Sequence, residues 1–396
     1  MRYTFPARWK ARKLDQLGFV GRGRSRHRPR NEPSLYGGEY PFFQTGDIKA
    51  ANLYLSEYSQ TYNEKGLDQS KQWEPGTLCI TIAANIADTA ILGIRGCFPD
   101  SVIGFIADPA EADVRFIKYY IDLIKLDMQQ VSHGTTQDNL SLDKLLRFDF
   151  VVPDVEEQRK IAAILSAYDD LIENNLRRIK ILEEMAQNLY REWFVKFRFP
   201  GHQEARFTDS PFGRIPEGWE VKRLGEILEL NYGKALKQEE RHGGNVPVYG
   251  SSGVVGFHDM PLVNGPGIIV GRKGNVGSVY WSDENFHPID TVYFVKSEMP
   301  LRFLFYDLQT KNFLNNDAAV PGLNRDQAYS LETASPPADI LTMFCQLADD
   351  FERQAAALRI QNTILRRTRD LLLPRLISGE VDVSELDIAL PEEDSA

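Results

Sequence analysis

The sequence predicts an α+β protein: two tandem mixed α/β domains separated by a long antiparallel two-helix coiled coil, in a pseudo-two-fold internal repeat. Three observations predict it. A narrow apolar seam runs the length of one uninterrupted helical stretch. A second such stretch lies near the end of the chain. Short segments of the first half recur, in the same order, in the second.

Residues 1–152 make the first domain. Its strands are TLCITI (77–82), TAILGI (89–94) and SVIGFIA (101–107), short runs rich in β-branched residues between turn residues. A helix follows over 114–130, where Phe116, Ile117, Tyr120, Ile121, Ile124 and Met128 lie on or near one face.

Residues 153–198 make the first long helix. Ile161, Leu165, Tyr168, Ile172, Asn175, Ile179, Leu182, Ala186, Leu189 and Trp193 step by fours and threes, and nine of these ten are apolar. This is the narrow seam of a coiled coil, not the broad stripe of a helix on a globular core. Asp154, after Pro153, reads as an acidic N-cap with Glu157 as its box partner. No Gly or Pro follows before Pro200. At about 1.5 Å per residue, roughly 40 residues reach about 60 Å. A seam that long needs a partner.

Residues 199–335 hold a linker and the second domain, with strands GIIVG (267–271), GSVYW (277–281) and TVYFV (291–295), then a helix over 301–313. Gly-, Asn- and Ser-rich turns such as YGSSGVVGFHD (249–259) and GRKGNVG (271–277) lie between strands, where recognition usually sits. Residues 336–379 make the second long helix, with Phe344, Leu347, Phe351, Ala355, Leu358, Leu365 and Leu372 as its seam. Asn362 stands where Ile179 stands in the first helix, and Asn175 interrupts the first seam. Such residues either fix the register or are tolerated at a wet spot. Residues 380–396 are an acidic tail, solvated or in contact with a partner.

The repeat supplies the missing partner helix. PARWKARKL (6–14) matches PEGWEVKRL (216–224) at an offset of 210. PGTLCI (75–80) matches PGIIV (266–270) at 191, and RFIKYY (115–120) matches RFLFYD (302–307) at 187. From Leu140/Leu323 through the long helices the offset is 183. Order is kept and the offset only shrinks, as in a tandem duplication with loop deletions. The order domain, helix, domain, helix lets the second helix return antiparallel along the first. The alternative is pairing with a second chain.

Composition is that of an ordinary globular protein. Cys79, Cys97 and Cys345 have no CxxC spacing and are expected to be reduced. No apolar run is long enough for a membrane span, and the opening residues lack the apolar core of a secretory signal, so a cytoplasmic location and no membrane contact are expected. The net charge of −10 is unevenly spread: residues 1–30 hold ten Lys and Arg against Asp15, and 380–396 hold seven acids and no base. The basic stretch GRGRSRHRPRN (21–31) alternates cations with small residues and Pro. An extended chain of this kind can lay Arg22, Arg24, Arg26, Arg28 and Arg30, with Lys49 further on, along phosphates or guanine edges. The alternatives are a solvated loop or one that meets an acidic protein surface. In the second domain the candidate DNA contacts are Lys234, Ser251, Ser252, His258, Arg272, Lys273, Asn275, Asn324 and Arg325, with Lys311 a further cation.

Catalytic patterns are not found. The letters PD…E…K in PDVEEQRK (153–160) fall on one helix start, where capping acids are expected, not on two strands of a nuclease sheet. GRKGNVG lacks the Lys-Ser/Thr of a phosphate loop. The six histidines show no HxxxH spacing, so no metal is expected. No GxGxxG or NPPY-type motif suggests a methyl-donor pocket. No catalytic residue and no cofactor is assigned to this chain.

The residues do resemble a known family, the specificity (S) subunits of type I restriction-modification systems. The resemblance covers nearly the whole chain. It is most specific in PEGWEVKRLGEI (216–227), QRKIAAILSAYDDLIENN with LEEMAQNLYREWFVKF (158–197), and RDLLLPRLISGEVDV (369–383). GRGRSRHRPRN and LYGGEYPFFQTGDIK (21–49) are similar to one type of target-recognition domain in that family. The resemblance implies two target-recognition domains, each reading one half of a bipartite double-stranded DNA site. It implies that the helices set the spacing and dock two methyltransferase (M) subunits and, through them, restriction (R) subunits. S-adenosylmethionine, ATP and Mg2+ would then belong to those partners. A DNA-binding protein acting alone and a coiled-coil scaffold without a DNA role are the alternatives; off-seam Ala162, Ala163, Leu171, Leu176 and Met185 favour docked partners.

Overall fold

The computed structural model describes residues 3–132, 140–211, 213–241, 243–313 and 322–390. His133, His242 and the last residues of the acidic tail lie outside them. The chain divides into two compact units, Met1–Arg177 with Arg359–Ala396, and Arg178–Leu358. The divisions fall within the long helices, so each unit holds one domain and a segment of each helix.

In the first unit, a five-stranded sheet runs in the order Gly18–Arg22, Val102–Ala107, Leu78–Thr81, Thr89–Leu92, Tyr54–Leu55. The strands expected from TLCITI, TAILGI and SVIGFIA form its centre. A second sheet, not expected, runs Gln60–Tyr62, Tyr36–Phe42, Gly96–Cys97, Gln72–Trp73. Lys10–Arg12 pairs with Phe150–Val152, tying the start of the domain to its end. The helix Val114–Ser132 packs its apolar face into the main core with Ile80, Ile103 and Phe105.

The second unit repeats this plan. Its main sheet runs Glu229–Tyr232, Val292–Lys296, Gly267–Gly271, Val279–Ser282, and its second sheet Gly253–His258, Val246–Gly250, His287–Pro288. Glu220–Arg223 pairs with Glu332–Ser335. Strand registers set the correspondence between units: Ile80 faces Thr89 and Ile103, as Val270 faces Val279 and Tyr293. These pairs differ by 190 residues, which corrects the 191 read from PGTLCI and PGIIV. The hydrogen-bonded turn between the two strands, not the Pro-Gly before them, keeps the register. In that turn Ala87 N–H donates to Thr81 O at 2.8 Å, and Gly277 N–H to Gly271 O at 2.9 Å. Both turns use a left-handed backbone twice, at Gly274 and Gly277 (φ 78° each) and at Ala84 and Ala87 (φ 63° and 60°). The glycines of GRKGNVG therefore answer to backbone conformation, which disfavours a Cβ there.

The two long helices are Val155–Tyr190, ending in a π turn at Arg191–Val195, and Ala338–Ile377. In the first unit Asp169 meets Arg369, and Asn175 meets Asn362. In the second, Ile179 packs with Ala355 and Leu358, and the Tyr190 ring lies 6.0 Å from Phe344. Later residues of one helix meet earlier residues of the other, so within each unit the segments are antiparallel. Ile161, Leu165, Ile172, Ala186 and Trp193 are buried on the first helix; Tyr168, Leu182 and Leu189 are half-buried at the seam's edge. On the second helix Phe344 and Leu358 are buried, while Phe351, Leu365 and Leu372 are half-buried. Leu347 is corrected: it is 39% exposed, and Ala348 is fully buried in its place. Strict alternation of fours and threes from Phe344 through Phe351 to Ala355 requires position 348, and Ala348 joins the buried core that holds Tyr190 and Trp193.

Asn175 and Asn362 decide between the two readings of a polar seam residue. Both are buried, and Asn175 Nδ2 donates to Asn362 Oδ1 at 2.9 Å. Asn362 Nδ2 donates to the Ile172 carbonyl at 3.3 Å. A buried amide that bonds its counterpart across the seam, and a backbone carbonyl beyond it, finds both partners in one register only.

Each domain is also bonded to its long-helix segment by a tyrosine. Tyr119 donates to Asp169 at 2.5 Å in the first unit, and Tyr306 donates to Glu352 at 2.9 Å in the second. Burial first, and the carboxylate beside it second, push both phenols above their ordinary range, so they remain donors.

Three expectations change. Asp154 caps the helix by accepting from Glu157 N–H at 2.9 Å, but Glu157 turns its carboxylate to Arg8 at 2.9 Å, so the box is not closed. Ala162 and Ala163 are buried in the first unit's core region and offer nothing to a partner, whereas Leu171 and Met185 are exposed and Leu176 is half-buried. The start of the acidic tail packs down: Val383 is buried, Asp382 bonds Arg8 at 3.0 Å, and Lys160 Nζ donates to the Ser384 carbonyl at 2.7 Å. This also gives Asp154 and Lys160 structural partners, in place of any nuclease arrangement.

Asn175→Leu should cost about 1–3 kcal/mol in urea unfolding, because Asn362 is left buried without its partner. The double change with Asn362→Leu should recover most of that loss, since both polar groups are then gone. Exposed Ala84→Gly should stabilise by up to about 1 kcal/mol by relieving the left-handed backbone, whereas Ala87→Gly, which also removes a buried methyl, should gain less.

Candidate nucleic-acid interface

The arginine stretch of the first unit is not a free, extended chain. Arg24 is stapled into the fold: its guanidinium bonds the Ser70 carbonyl, its N–H donates to Phe98 O at 3.1 Å, and Ser70 Oγ donates to Arg24 O at 2.8 Å. Three others converge on one acid. Arg22 Nε donates to the Asp100 carbonyl at 2.5 Å, while the Asp100 carboxylate lies 2.6 Å from Arg30 and 3.7 Å from Arg28. Arg28 also donates to the carbonyls of Ser25 and His27, each at 2.8 Å. Only Arg26 presents a guanidinium with no protein partner among the described residues; its backbone N–H is held by Gln69 Oε1 at 2.6 Å. Guanidinium groups take planar acceptors within reach, here the loop's own carbonyls and one carboxylate. Arg22, Arg26, Arg28 and Arg30 nonetheless remain exposed, on one loop. Lys49 is exposed in the last turn of the short helix Thr45–Ala50.

Beside this loop is an open cleft of about 500 Å³. Its lining includes Arg30 and Asn31, the aromatic Tyr36 and Phe42, and Gln44 and Gln60. The Tyr36 hydroxyl donates to the Arg30 carbonyl at 2.7 Å. Burial and the neighbouring Tyr62 push that phenol up to about 12, so at neutral pH it stays a donor. Gly37, in the left-handed region at φ 84°, permits the bulge in this strand between Tyr36 and Tyr40. Elsewhere on the unit, Lys71 sits 3.6 Å over the Trp73 ring and 5.1 Å over Phe19, which is 55% exposed. Burial and Arg24 hold the Lys71 ammonium below its usual range.

In the second unit, Arg272, Arg325 and Tyr232 are brought together. The guanidinium carbons lie 4.9 Å and 5.6 Å from the Tyr232 ring centroid, and that ring is half exposed. Tyr232 holds the register position that Arg22 holds in the first unit. Arg272 also donates to the Asp290 carbonyl at 2.9 Å. The turns that carry Ser251 and Asn275 lie side by side, since Ser278 Oγ is 2.9 Å and 2.8 Å from their respective carbonyls. Ser252, Lys273, Asn275 and Lys234 are exposed. His258 has its own neighbours, Asp259 at 3.2 Å and the His287 ring at 5.7 Å.

Two candidates also have structural roles. Asn324 is the N-cap of the helix Arg325–Ser330, its Oδ1 accepting from Asp326 N–H at 2.9 Å, so its acceptor is occupied. Lys311 is largely buried, 2.9 Å from Asp307, which also accepts from Tyr190 and Thr333 at 2.7 Å each. Neither role is legible from a polar residue in a loop-rich sequence. Tyr232, Lys71, Gln44, Gln60 and Asp100 were all missed by sequence reasoning, because strand pairing and turns bring them to their sites.

Among the described residues no group of His, Cys, Asp and Glu side chains has the arrangement of a metal site, and no helix is long and apolar enough to cross a membrane. The three cysteines are free; Cys79 and Cys97 are buried, and burial pushes both thiols up.

The model of one family, the type I restriction modification DNA specificity domain, matches residues 6–184 and again 216–337, once in each copy of the repeat. The chain belongs to this family. Among relatives of this specificity protein, the type I restriction enzyme MjaIX specificity subunit of Methanocaldococcus jannaschii is 26% identical, over 96% of this chain and 95% of its own length. The HindI specificity subunit of Haemophilus influenzae is 22% identical, over 63% of this chain and 72% of its own length. The crystal structure of a type I S subunit from M. genitalium superposes with a TM-score of 0.57 at 18% identity, over 93% of this chain and 96% of that one, a likeness of fold. As a DNA specificity protein, the chain is a recognition component. The loops described above are its candidate reading surfaces.

Lys311→Met should destabilise the specificity protein by about 3–5 kcal/mol in thermal or urea unfolding, by leaving Asp307 buried without its cation. Lys273→Met, at an exposed position, should change stability by less than about 0.5 kcal/mol.

Proposed function

We propose that residues 1–152 and 199–335 are two target-recognition domains, each reading one half of a bipartite double-stranded DNA site. The long helices set the spacing of the halves and dock methyltransferase subunits, and restriction subunits through them. Methyl transfer with S-adenosylmethionine and ATP- and Mg2+-dependent cleavage then reside in those partners, in the cytoplasm. The observation that carries this reading is the repeated main sheet, with four strands in the same order and register in both units, each matched by the specificity-domain model. Exposed apolar side chains on the helices support docked partners over a protein acting alone: Leu171, Ile360, Ile364 and Leu371 in the first unit, and Ile181, Met185 and Met343 in the second. An isolated helix pair has no use for these outside its seam.

Arg26 and Arg28 are the better phosphate candidates, because Arg24 is needed by the fold. Changing both to Ala should weaken DNA binding about equally for all sequences. It should also flatten the dependence of log affinity on log salt by about one unit for each phosphate no longer neutralised. An unchanged slope would remove the loop from the interface. Deleting one heptad from each long helix should shorten the spacer of the methylated motif by about 3 bp, from about 1.5 Å per residue and 3.4 Å per base pair, while both half-sites persist. Altered half-sites would refute the spacing role.

A further inference from the structure

The cleft of the first unit holds a feature that none of the cationic candidates explains. Gln44 follows the strand Tyr36–Phe42 by two residues, and Gln60 opens the strand that pairs with it, facing Phe42 in register. Gln44 Nε2 donates to Gln60 Oε1 at 2.7 Å. Both side chains are exposed to solvent at the cleft, and the backbone N–H of Gln44 is held by Asp47 Oδ2 at 2.7 Å. Two exposed glutamines ordinarily lose rotamer freedom without return when they bond only to each other in water.

What the bond does is orient them. In any amide–amide hydrogen bond one group gives its N–H and the other its oxygen. The first is left with a free carbonyl oxygen and the second with a free NH2, whichever way each amide is turned. The linked pair therefore keeps an acceptor on one amide and a donor on the other, both on residues that line an open cleft. The major-groove edge of adenine presents the complement, an N6–H donor beside the N7 acceptor. Guanine presents two acceptors there, and cytosine and thymine offer no such neighbouring pair on one base. The aromatic lining from Tyr36 and Phe42 and the guanidinium of Arg30 give the cleft an apolar surface beside a cationic rim. That combination suits a base edge with its flanking phosphate.

We propose that the linked amides of Gln44 and Gln60 read an adenine in the half-site recognised by the first unit. The inference rests on the reading of this unit as a DNA-recognition domain. It goes further by naming the residues and the base. The arginines of the neighbouring loop then hold the backbone, and the glutamine pair supplies sequence discrimination.

Selection of bound duplexes from a randomised library tests this, using the full chain in the complex in which it is isolated from its host. The wild type should enrich a bipartite motif with adenine at one position of one half-site. Gln44→Ala with Gln60→Ala should erase the preference at that position. It should lower affinity for the selected site about 10- to 100-fold, as expected when one bidentate base pairing is removed. Affinity for unrelated duplex and its salt slope should stay within about twofold. Gln44→Glu keeps the shape but replaces the amide by an acceptor-only group, and should move the preference at that position from adenine towards cytosine. An unchanged motif in both variants overturns the proposal. So does loss of unrelated-duplex binding together with the motif, the sign of a merely structural pair. If the wild type selects no sequence, the recognition function itself fails, and that result is distinct from a selected motif that ignores the glutamines.

Discussion

Everything in this protein hangs on the antiparallel contact between two helix segments in each compact unit. A seam stepping by fours and threes is apolar enough to associate but says little about register. Register is set by the buried Asn175–Asn362 pair, which is satisfied in only one alignment, and by Arg369 reaching Asp169. Asp169 also takes the Tyr119 hydroxyl, so one carboxylate ties together the helix segments and the domain they carry. Glu352 takes the equivalent tyrosine, Tyr306, in the second unit. A carboxylate that accepts from a domain tyrosine cannot shift along the seam without leaving a buried hydroxyl unpaired, which is the costly outcome.

The repeat keeps what the fold needs and varies what lies above it. The order of four main-sheet strands, their register and the hydrogen-bonded turn are the same in both units; the first unit adds Tyr54–Leu55 at one edge. The second unit meets the left-handed turn with glycines, whereas the first meets it with alanines and bears the strain. At one equivalent position Arg22 faces Asp100 and Tyr232 lies beside two guanidiniums. Two copies that share a scaffold and differ in their exposed chemistry are suited to reading two different half-sites.

Asp100 illustrates how an arginine-rich loop behaves before it meets nucleic acid. Guanidinium donors seek planar acceptors, and the loop finds them in its own carbonyls and in one carboxylate. In the proposed interface, phosphate would have to replace acceptors already in place. The loop is thereby held in a defined position beside the cleft rather than left to search.

Much of the architecture was legible because it depends on local periodicity. The 3.5-residue seam, the two tandem domains and their strands are patterns a single sequence displays, and the repeat supplied the direction of the second helix. Residue-level choices were less legible where two local solutions compete. Leu347 is the more apolar neighbour of Ala348, yet only Ala348 fits the alternating step and is buried. Glu157 had a near capping partner and a distant cation, and the distant Arg8 won. The candidate site lay further out of reach. Asn324 and Lys311 are spent on a helix cap and a buried ion pair, and nothing in their neighbours' identities says so. Gln44 and Gln60 stand sixteen residues apart and meet only because two strands pair in one register. Sequence by itself determined the helices and the duplication, since these follow from repeating local pattern, while the recognition class came from motifs that resemble a known family. Tertiary structure alone decided which polar groups face solvent unpaired, because that depends on which distant partner each side chain reaches.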